Sequence, residues 1–403
     1  MEYSKLPLTK LGLMPKEETL EISKRNIKMT IGIPKEITFQ ENRIPLAPQA
    51  VNLLTNNGHQ IIIESNAGKA ANFSDNEYSD AGARIVYSAK DAYEANLIVK
   101  IAPPTINEIA YLKQNQTIIS ALQLNIQKKE YFQLLMNKSV SALAFEKIQE
   151  GDSNIYPIVR SMSEIAGNTS ILIAAEYLSN IHNGKGQMMG GVAGVTPTEI
   201  VIIGAGTVGE FAARSAISLG ATVKVFDESL EKLRRLQNNI GKRIFTSIVQ
   251  PLVLAKALKT ADVVIGAIHS PGKCTPCVVT ETMVENMKKG SVIIDVSIDK
   301  GGCCETSKLT NHSNPVFEKH GVIHYCVPNI NSRVSRTATY ALSNILTPIL
   351  LEIGDNGGLQ ETIKHNFGLR KGLYLYNGLI TNDYIASLFD LPYKDIDLLS
   401  AAL

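Results

Sequence analysis

Residues 204–209 read Gly-Ala-Gly-Thr-Val-Gly, a G-x-G-x-x-G turn that follows the apolar run Glu199-Ile-Val-Ile-Ile and leads into Glu210-Phe-Ala-Ala-Arg. In that order each glycine has a physical job. Gly204 permits the tight turn, Gly206 lets the backbone come close to a pyrophosphate, and Gly209 lets helix and strand approach each other. Thr207 and Val208 fall in the first turn of the helix, where unpaired N–H groups and a partial positive charge suit phosphate. A second apolar strand, Thr222-Val-Lys-Val-Phe, ends at Asp227, about twenty residues on, where a carboxylate accepts hydrogen bonds from an adenine ribose. A carboxylate there repels a 2′-phosphate, so the pattern predicts NAD rather than NADP. The competing use of Asp227 is as a cap for the following helix, a duty that Ser229 can share. Lys232, one turn further, is placed to reach the same ribose.

Elements of the right kind surround this turn. From Met29 short apolar strands alternate with helical stretches: Thr30-Ile-Gly-Ile, a helix from Pro48 to Asn57, His59-Gln-Ile-Ile-Ile-Glu64, and Asn96-Leu-Ile-Val-Lys-Ile101. The middle of the chain repeats the alternation, with strands at Glu199–Ile203, Thr222–Val225, Ala261–Val264 and Val292–Asp295 and a helix from Val208 to Leu219. Such alternation predicts βαβ units on mainly parallel sheets. Helical spacing resumes at Thr337-Ala-Thr-Tyr-Ala-Leu and runs through the C-terminal segment to Leu403. The expected architecture is α/β, with two Rossmann-like doubly wound domains, the second inserted into the first. Residues 29–157 and 336–403 form a substrate domain, residues 158–335 the NAD-binding domain, and residues 1–28 an N-terminal extension.

A chain of 403 residues is long enough for two such domains, with the cleft between them as the default ligand site. A formal net charge of +2 gives no single-sign field to gather nucleic acid or an anionic membrane, so neither partner is expected. No apolar run reaches the length of a membrane span, and the first 28 residues lack the apolar core of a secretory signal. The expected location is the cytoplasm. Five cysteines, an odd number in a long chain, fit reduced thiols better than a disulfide framework. Cys274-Thr-Pro-Cys277 has no second pair to complete a zinc site, and no metal is expected. The neighbouring Cys303 and Cys304 diverge too much to bridge easily.

Several longer segments carry a resemblance beyond the Gly-rich turn: Ile31-Gly-Ile-Pro-Lys-Glu, Glu41-Asn-Arg, Met162-Ser-Glu-Ile-Ala-Gly, Met188-Met-Gly-Gly-Val-Ala-Gly-Val, Ile298-Asp-Lys-Gly-Gly-Cys and Thr339-Tyr-Ala-Leu. The chain resembles bacterial alanine dehydrogenases over nearly its whole length from Met29 and, more distantly, the NAD-binding subunit of proton-translocating transhydrogenase. The resemblance implies reversible oxidative deamination: L-alanine, NAD and water give pyruvate, ammonium and NADH. It also implies a homohexamer. Ser163, Thr207, Val208, Asp227, Lys232, Ile268, His269 and Asn329 match positions that contact the cofactor, several through backbone atoms, and Lys308 falls where an arginine serves near the adenosine.

For the chemistry, Arg43 matches the family's substrate arginine, whose planar fork suits a carboxylate. Asp299 matches a carboxylate at a strand end beside the nicotinamide, where an acceptor helps water attack an imine. Two positions depart from the pattern. Ala102 stands where the family has a second lysine for the substrate's carboxylate and carbonyl oxygen, and Gln123 stands where it has the acid/base histidine. Glutamine donates a hydrogen bond but does not shuttle a proton near neutrality. Lys100, two residues before Ala102, is expected to lean toward the vacated space, with pairing to a carboxylate as the competing use, and His269 is the nearest other proton carrier. The leading expectation is an alanine dehydrogenase-like enzyme with a modified substrate pocket. The alternatives are an inactive NAD-binding regulatory homologue and a transhydrogenase-like subunit, and the departures favour the inactive homologue.

Overall fold

The computed structural model describes residues 27–151, 153–269 and 274–401. The expected N-terminal extension lies outside the described residues apart from Ile27 and Lys28. Fifteen strands form two sheets among the described residues. The first six are β1 (Thr30–Ile33), β2 (Gln60–Glu64), β3 (Arg84–Val86), β4 (Leu97–Val99), β5 (Thr117–Ser120) and β6 (Ser141–Ala144). Seven more, β7 (Glu199–Ile203), β8 (Thr222–Asp227), β9 (Phe245–Ile248), β10 (Val263–Gly266), β11 (Val292–Asp295), β12 (Val316–Lys319) and β13 (Val322–Tyr325), form a sheet of their own. The chain then returns to the first sheet with β14 (Leu373–Tyr376) and β15 (Leu379–Ile380).

The strand orders are β15-β14-β6-β5-β4-β1-β2-β3 and β12-β13-β11-β10-β7-β8-β9. The second sheet is thus drawn from the chain between the two segments that build the first. β1 pairs in parallel with both β2 and β4, and β7 with both β8 and β10. At each of these pairs of neighbours the strand order reverses direction, which opens a crevice beyond the carboxyl ends of the strands.

Both faces of each sheet are covered, which is why these strands read as continuous apolar runs. In the first sheet Ile31, Ile33, Ile61, Ile63 and Val99 face one core, while Ile62, Ile98, Ile118 and Ala142 face another. In the second, Ile200, Ile202, Val225 and Ile265 alternate in the same way with Val201, Ile203, Phe226 and Val264. The helix Pro157–Leu178, with proline in its first turn, links the two bodies. Its Ile158 packs in the first core, and Ala166, Ile171 and Ala174 pack in the second. The helix Ser335–Asp355 returns to the first core through Leu342, Leu346 and Leu350.

The C-terminal segment corrects the expectation of helices alone. Leu373-Tyr-Leu-Tyr is buried at every position and adds to the first sheet, with β14 antiparallel to β6. Four residues are too short for periodicity to separate a buried strand from a helical turn. Among the described residues no helix is long and apolar enough to cross a membrane.

Candidate active site

The crevice of the second sheet is built by the loops after β7, β10 and β11. Gly204 has φ of +116°, and a Cβ there would lie 2.3 Å from the Ala267 carbonyl oxygen. A Cβ on Gly209 would lie 1.8 Å from the Gly204 carbonyl oxygen. Both glycines are therefore demanded by the protein's own backbone. Gly206 is different, because a Cβ there would meet nothing within 4 Å. Its glycine leaves open space above the backbone, and no side chain caps the first turn of the helix Thr207–Ser218 that follows. An open cradle at an uncapped helix N-terminus fits a phosphate group, so the residues present suit a dinucleotide.

Asp227 is buried at the end of β8 and ties the turn together. Its Oδ2 accepts the Ala205 N–H at 2.7 Å and its Oδ1 accepts the Ser229 N–H at 2.8 Å. The cap of the next helix is Ser229, whose hydroxyl accepts the Lys232 N–H at 3.3 Å. Lys232 Nζ lies 4.0 Å from Asp227. Across the crevice, Ser297 holds the Ile268 N–H at 3.0 Å, which fixes the loop carrying Ile268 and His269. Lys308 is exposed on the loop after Cys304, and Ser163 is half-buried on the linking helix.

Asp295 shapes the loop that presents Asp299. It accepts N–H groups from Ser297 at 3.0 Å and Cys303 at 2.9 Å, and the Ser307 hydroxyl at 2.7 Å. Asp299 thereby stands at the crevice surface, with the Asn329 N–H at 3.3 Å. It keeps accessible surface, yet the surrounding walls desolvate it and push its pKa up against the pull of Asn329 and Arg43. His269 is likewise accessible at the cleft. Desolvation and the charges of Lys300, Lys232 and Lys147 lower its pKa and so favour the neutral ring.

Arg43 faces this loop from the other sheet. Glu41 grips it in a fork, with Nε to Oε1 at 2.8 Å and Nη2 to Oε2 at 2.6 Å. Burial opposes the guanidinium charge, but Glu41 outweighs it and raises the arginine's pKa, with smaller contributions from Glu36 and Asp299. Glu41 Oε2 also accepts the Asn329 Nδ2 at 2.9 Å. A continuous chain therefore runs Arg43, Glu41, Asn329, Asp299 from one body to the other. Two further bonds flank it, from the His312 N–H to Gln40 at 2.6 Å and from the Asn42 N–H to Ser332 at 2.8 Å.

Lys100 does not lean into the space beside Ala102. Its side chain is 1% exposed, and Nζ lies 2.5 Å from Glu108 Oε1 and 3.5 Å from Glu36 Oε2. The strand-based expectation fails because β4 ends at Val99, so Lys100 sits in the turn, and because a buried ammonium settles where carboxylates neutralise it. Gln123 is half-buried on the loop after β5 with φ of +48°. Glu146 lies beside this loop, its Oε1 accepting the Leu122 N–H at 3.0 Å. Sequence reasoning assigns no role to Glu36, Glu41, Glu146 or Lys147. The signal available is a charged residue just beyond the carboxyl end of an apolar strand, as Glu36 is after β1 and Glu146 is after β6.

Family models match both halves of this arrangement. The N-terminal domain of alanine dehydrogenase/PNT matches residues 32–166 and the C-terminal domain matches residues 170–383. The chain belongs to the alanine dehydrogenase/PNT family. An alanine dehydrogenase of Methanococcus maripaludis is 40% identical over 367 residues, spanning 91% of this chain and 98% of that protein. Alanine dehydrogenase 2 of Staphylococcus aureus is 39% identical over 370 residues, 92% of this chain and 99% of that one. A solved L-alanine dehydrogenase superposes with a TM-score of 0.84 at 36% identity, covering 90% of this chain and 99% of that chain. A transhydrogenase from Sinorhizobium meliloti superposes at 0.74 with 24% identity, covering 88% and 99%, which shows the shared fold.

Proposed function

We propose that the chain is an NAD-dependent dehydrogenase that deaminates L-alanine reversibly to pyruvate and ammonium, through a substrate pocket altered at Ala102 and Gln123. The observation that carries this reading is the meeting of Arg43 and Asp299 from different sheets, joined through Glu41 and Asn329. Arg43 keeps one guanidinium nitrogen, Nη1, outside the Glu41 fork, its contact being the Met162 sulfur at 3.5 Å. It provides a fixed cation for a substrate carboxylate. Asp299 accepts a proton or orients water at the reacting carbon, and a raised pKa brings a carboxyl nearer to neutral operation. Residues 158–335 form the cofactor domain, with Gly204, Gly206, Thr207, Val208 and Gly209 receiving the pyrophosphate. Asp227 takes the adenine ribose, Lys232 and Lys308 flank the adenosine, and Ser163, Ile268, His269 and Asn329 line the nicotinamide side. When bound, NAD supplies the hydride acceptor. The remaining segments, residues 29–157 and 336–403, form the substrate domain. A cytoplasmic homohexamer is the assembly that the family likeness supports.

A second reading is an NAD-binding homologue without turnover, and Ala102, Gln123 and the inward-turned Lys100 favour it. NADH formation from NAD with L-alanine, then with a panel of small amino acids, separates the two. It is repeated after Ala102→Lys plus Gln123→His. Turnover by the native chain supports the dehydrogenase. If NAD binds but neither form turns over any amino acid, the enzyme reading fails; a gain confined to the variant assigns the native chain to the second reading.

A further inference from the structure

Glu36 is a buried carboxyl group beside the altered pocket. It follows β1, and its Oε1 accepts the Ile101 N–H at 2.6 Å, one residue before Ala102. Its side chain is 4% exposed, and Oε2 makes no hydrogen bond although it lies 3.5 Å from Lys100 Nζ. That ammonium is committed to Glu108 at 2.5 Å, so Glu36 shares a cation which another carboxylate holds more closely. The Arg43 guanidinium is within electrostatic reach of Glu36, and Glu41 stands near both. Glu146, a second buried carboxyl beside an altered position, has its Oε1 on the Leu122 N–H and an Oε2 that likewise makes no hydrogen bond, and Lys147 is the side-chain charge that draws its pKa down against burial. Glu36 alone of the two lies among the groups that surround Arg43.

We propose that Glu36 is the proton carrier of the substrate crevice, doing for the reacting carbon and nitrogen what Gln123 does not. This rests on the deamination reading above. Once the amino acid is an iminium ion, Asp299 orients the attacking water and the Glu36 carboxylate removes a proton from it. The C–O bond forms and the C=N π pair moves to nitrogen, leaving a carbinolamine and a neutral Glu36. Neutral Glu36 then protonates the amine, the C–N bond breaks with its electron pair on nitrogen to release ammonia, and the hydroxyl proton passes to that ammonia as the ketone forms, giving ammonium. The sum is iminium plus water giving 2-oxo acid plus ammonium, with Glu36 returned to its starting state. The environment suits both halves of the cycle. Burial lifts the carboxyl's pKa, Lys100 and the Ile101 N–H lower it, Glu41 and Glu108 lift it again, and the balance stands at about 7. A group that titrates near the working pH serves equally as acid and base.

The test compares the full-length protein with Glu36→Gln, which keeps shape and the Ile101 contact, and with Glu36→Asp. Infrared difference titration expects a protonated-carboxyl band with a midpoint near neutrality that Glu36→Gln lacks. With saturating NAD and L-alanine, Glu36→Gln is expected to form about one NADH per site in a burst and then turn over about a hundredfold or more slower than wild type. Glu36→Asp is expected to recover part of that loss. Steady-state rates within about threefold of wild type, no burst from a folded NAD-binding Glu36→Gln, or no missing carboxyl band would each overturn the assignment. If wild type itself yields no NADH from any small amino acid, the deamination reading falls first and this role falls with it.

Discussion

Replacing Glu41 with glutamine is expected to be among the most damaging single substitutions at the junction of the two bodies. Glu41 accepts four hydrogen bonds: Arg43 Nε at 2.8 Å, Arg43 Nη2 at 2.6 Å, the Arg43 N–H at 3.1 Å and Asn329 Nδ2 at 2.9 Å. The paired side chains are only 12% and 3% exposed. Removing one partner of such a pair strands the other charge, at a cost of about 3–5 kcal/mol. The glutamine in Glu41→Gln retains the shape and one acceptor oxygen, so the lower end, about 3 kcal/mol, is the expected loss. For a folded unit of about 200 residues that lowers the melting temperature by roughly 6–12 °C. The assay is a double-mutant cycle with Arg43→Met, read by thermal unfolding without substrate. If the stranded guanidinium is the source of the loss, Glu41→Gln plus Arg43→Met recovers at least about half of it. A loss below about 1 kcal/mol in Glu41→Gln, or simple additivity of the two substitutions, would refute the argument.

Four further outcomes are expected. Gly209→Ala should disrupt the turn, since its Cβ would sit 1.8 Å from the Gly204 carbonyl oxygen, whereas Gly206→Ala should fold normally and lose dinucleotide affinity; calorimetry alongside NAD titration separates the two. Asp227→Ala should weaken NAD binding and narrow the preference over NADP, and unchanged affinities for both would remove the ribose assignment. Glu36 should make stability depend on pH: its carboxyl rises from the usual 4.5 to about 7 on folding, so its contribution is complete below pH 4.5 and is lost as pH climbs to about 7. Its size is on the order of 3 kcal/mol, so wild-type stability should fall relative to that of Glu36→Gln across this window, and parallel curves would contradict it. Finally, Cys274 and Cys277 are exposed while Cys303, Cys304 and Cys326 are buried, so a thiol reagent should titrate two of the five in the native protein, Cys277 the more slowly because burial and Glu305 raise its pKa.

The sequence by itself determined the four central strands of the second sheet and its Gly-rich turn, because that information is local, while β9, β12 and β13 were not named from it and β10 lies two residues beyond its expected span. A buried parallel strand is a run of β-branched and aliphatic residues, and of the three glycines Gly209 answers to the Gly204 carbonyl within the turn, Gly204 to the Ala267 carbonyl just beyond the neighbouring strand, and Gly206 to open space. Glu199–Ile203 and Val292–Asp295 are legible to the residue for this reason. Arg43 and Asp299 were also nameable in advance, through the family likeness of their segments.

What only the tertiary structure decided is which charges meet. Lys100 and Ala102 look like neighbours on one face of a strand, yet the strand ends at Val99 and the ammonium turns inward to Glu108. Glu41 and Asn329 are 288 positions apart and bond across the two bodies, a pairing that no window on the sequence contains. Glu36 shows in the sequence only as a charged residue just beyond an apolar strand. Its raised proton affinity comes first from burial, which outweighs the opposing pull of Lys100, and from the charges of Glu41 and Glu108, all of which depend on how the chain packs around it.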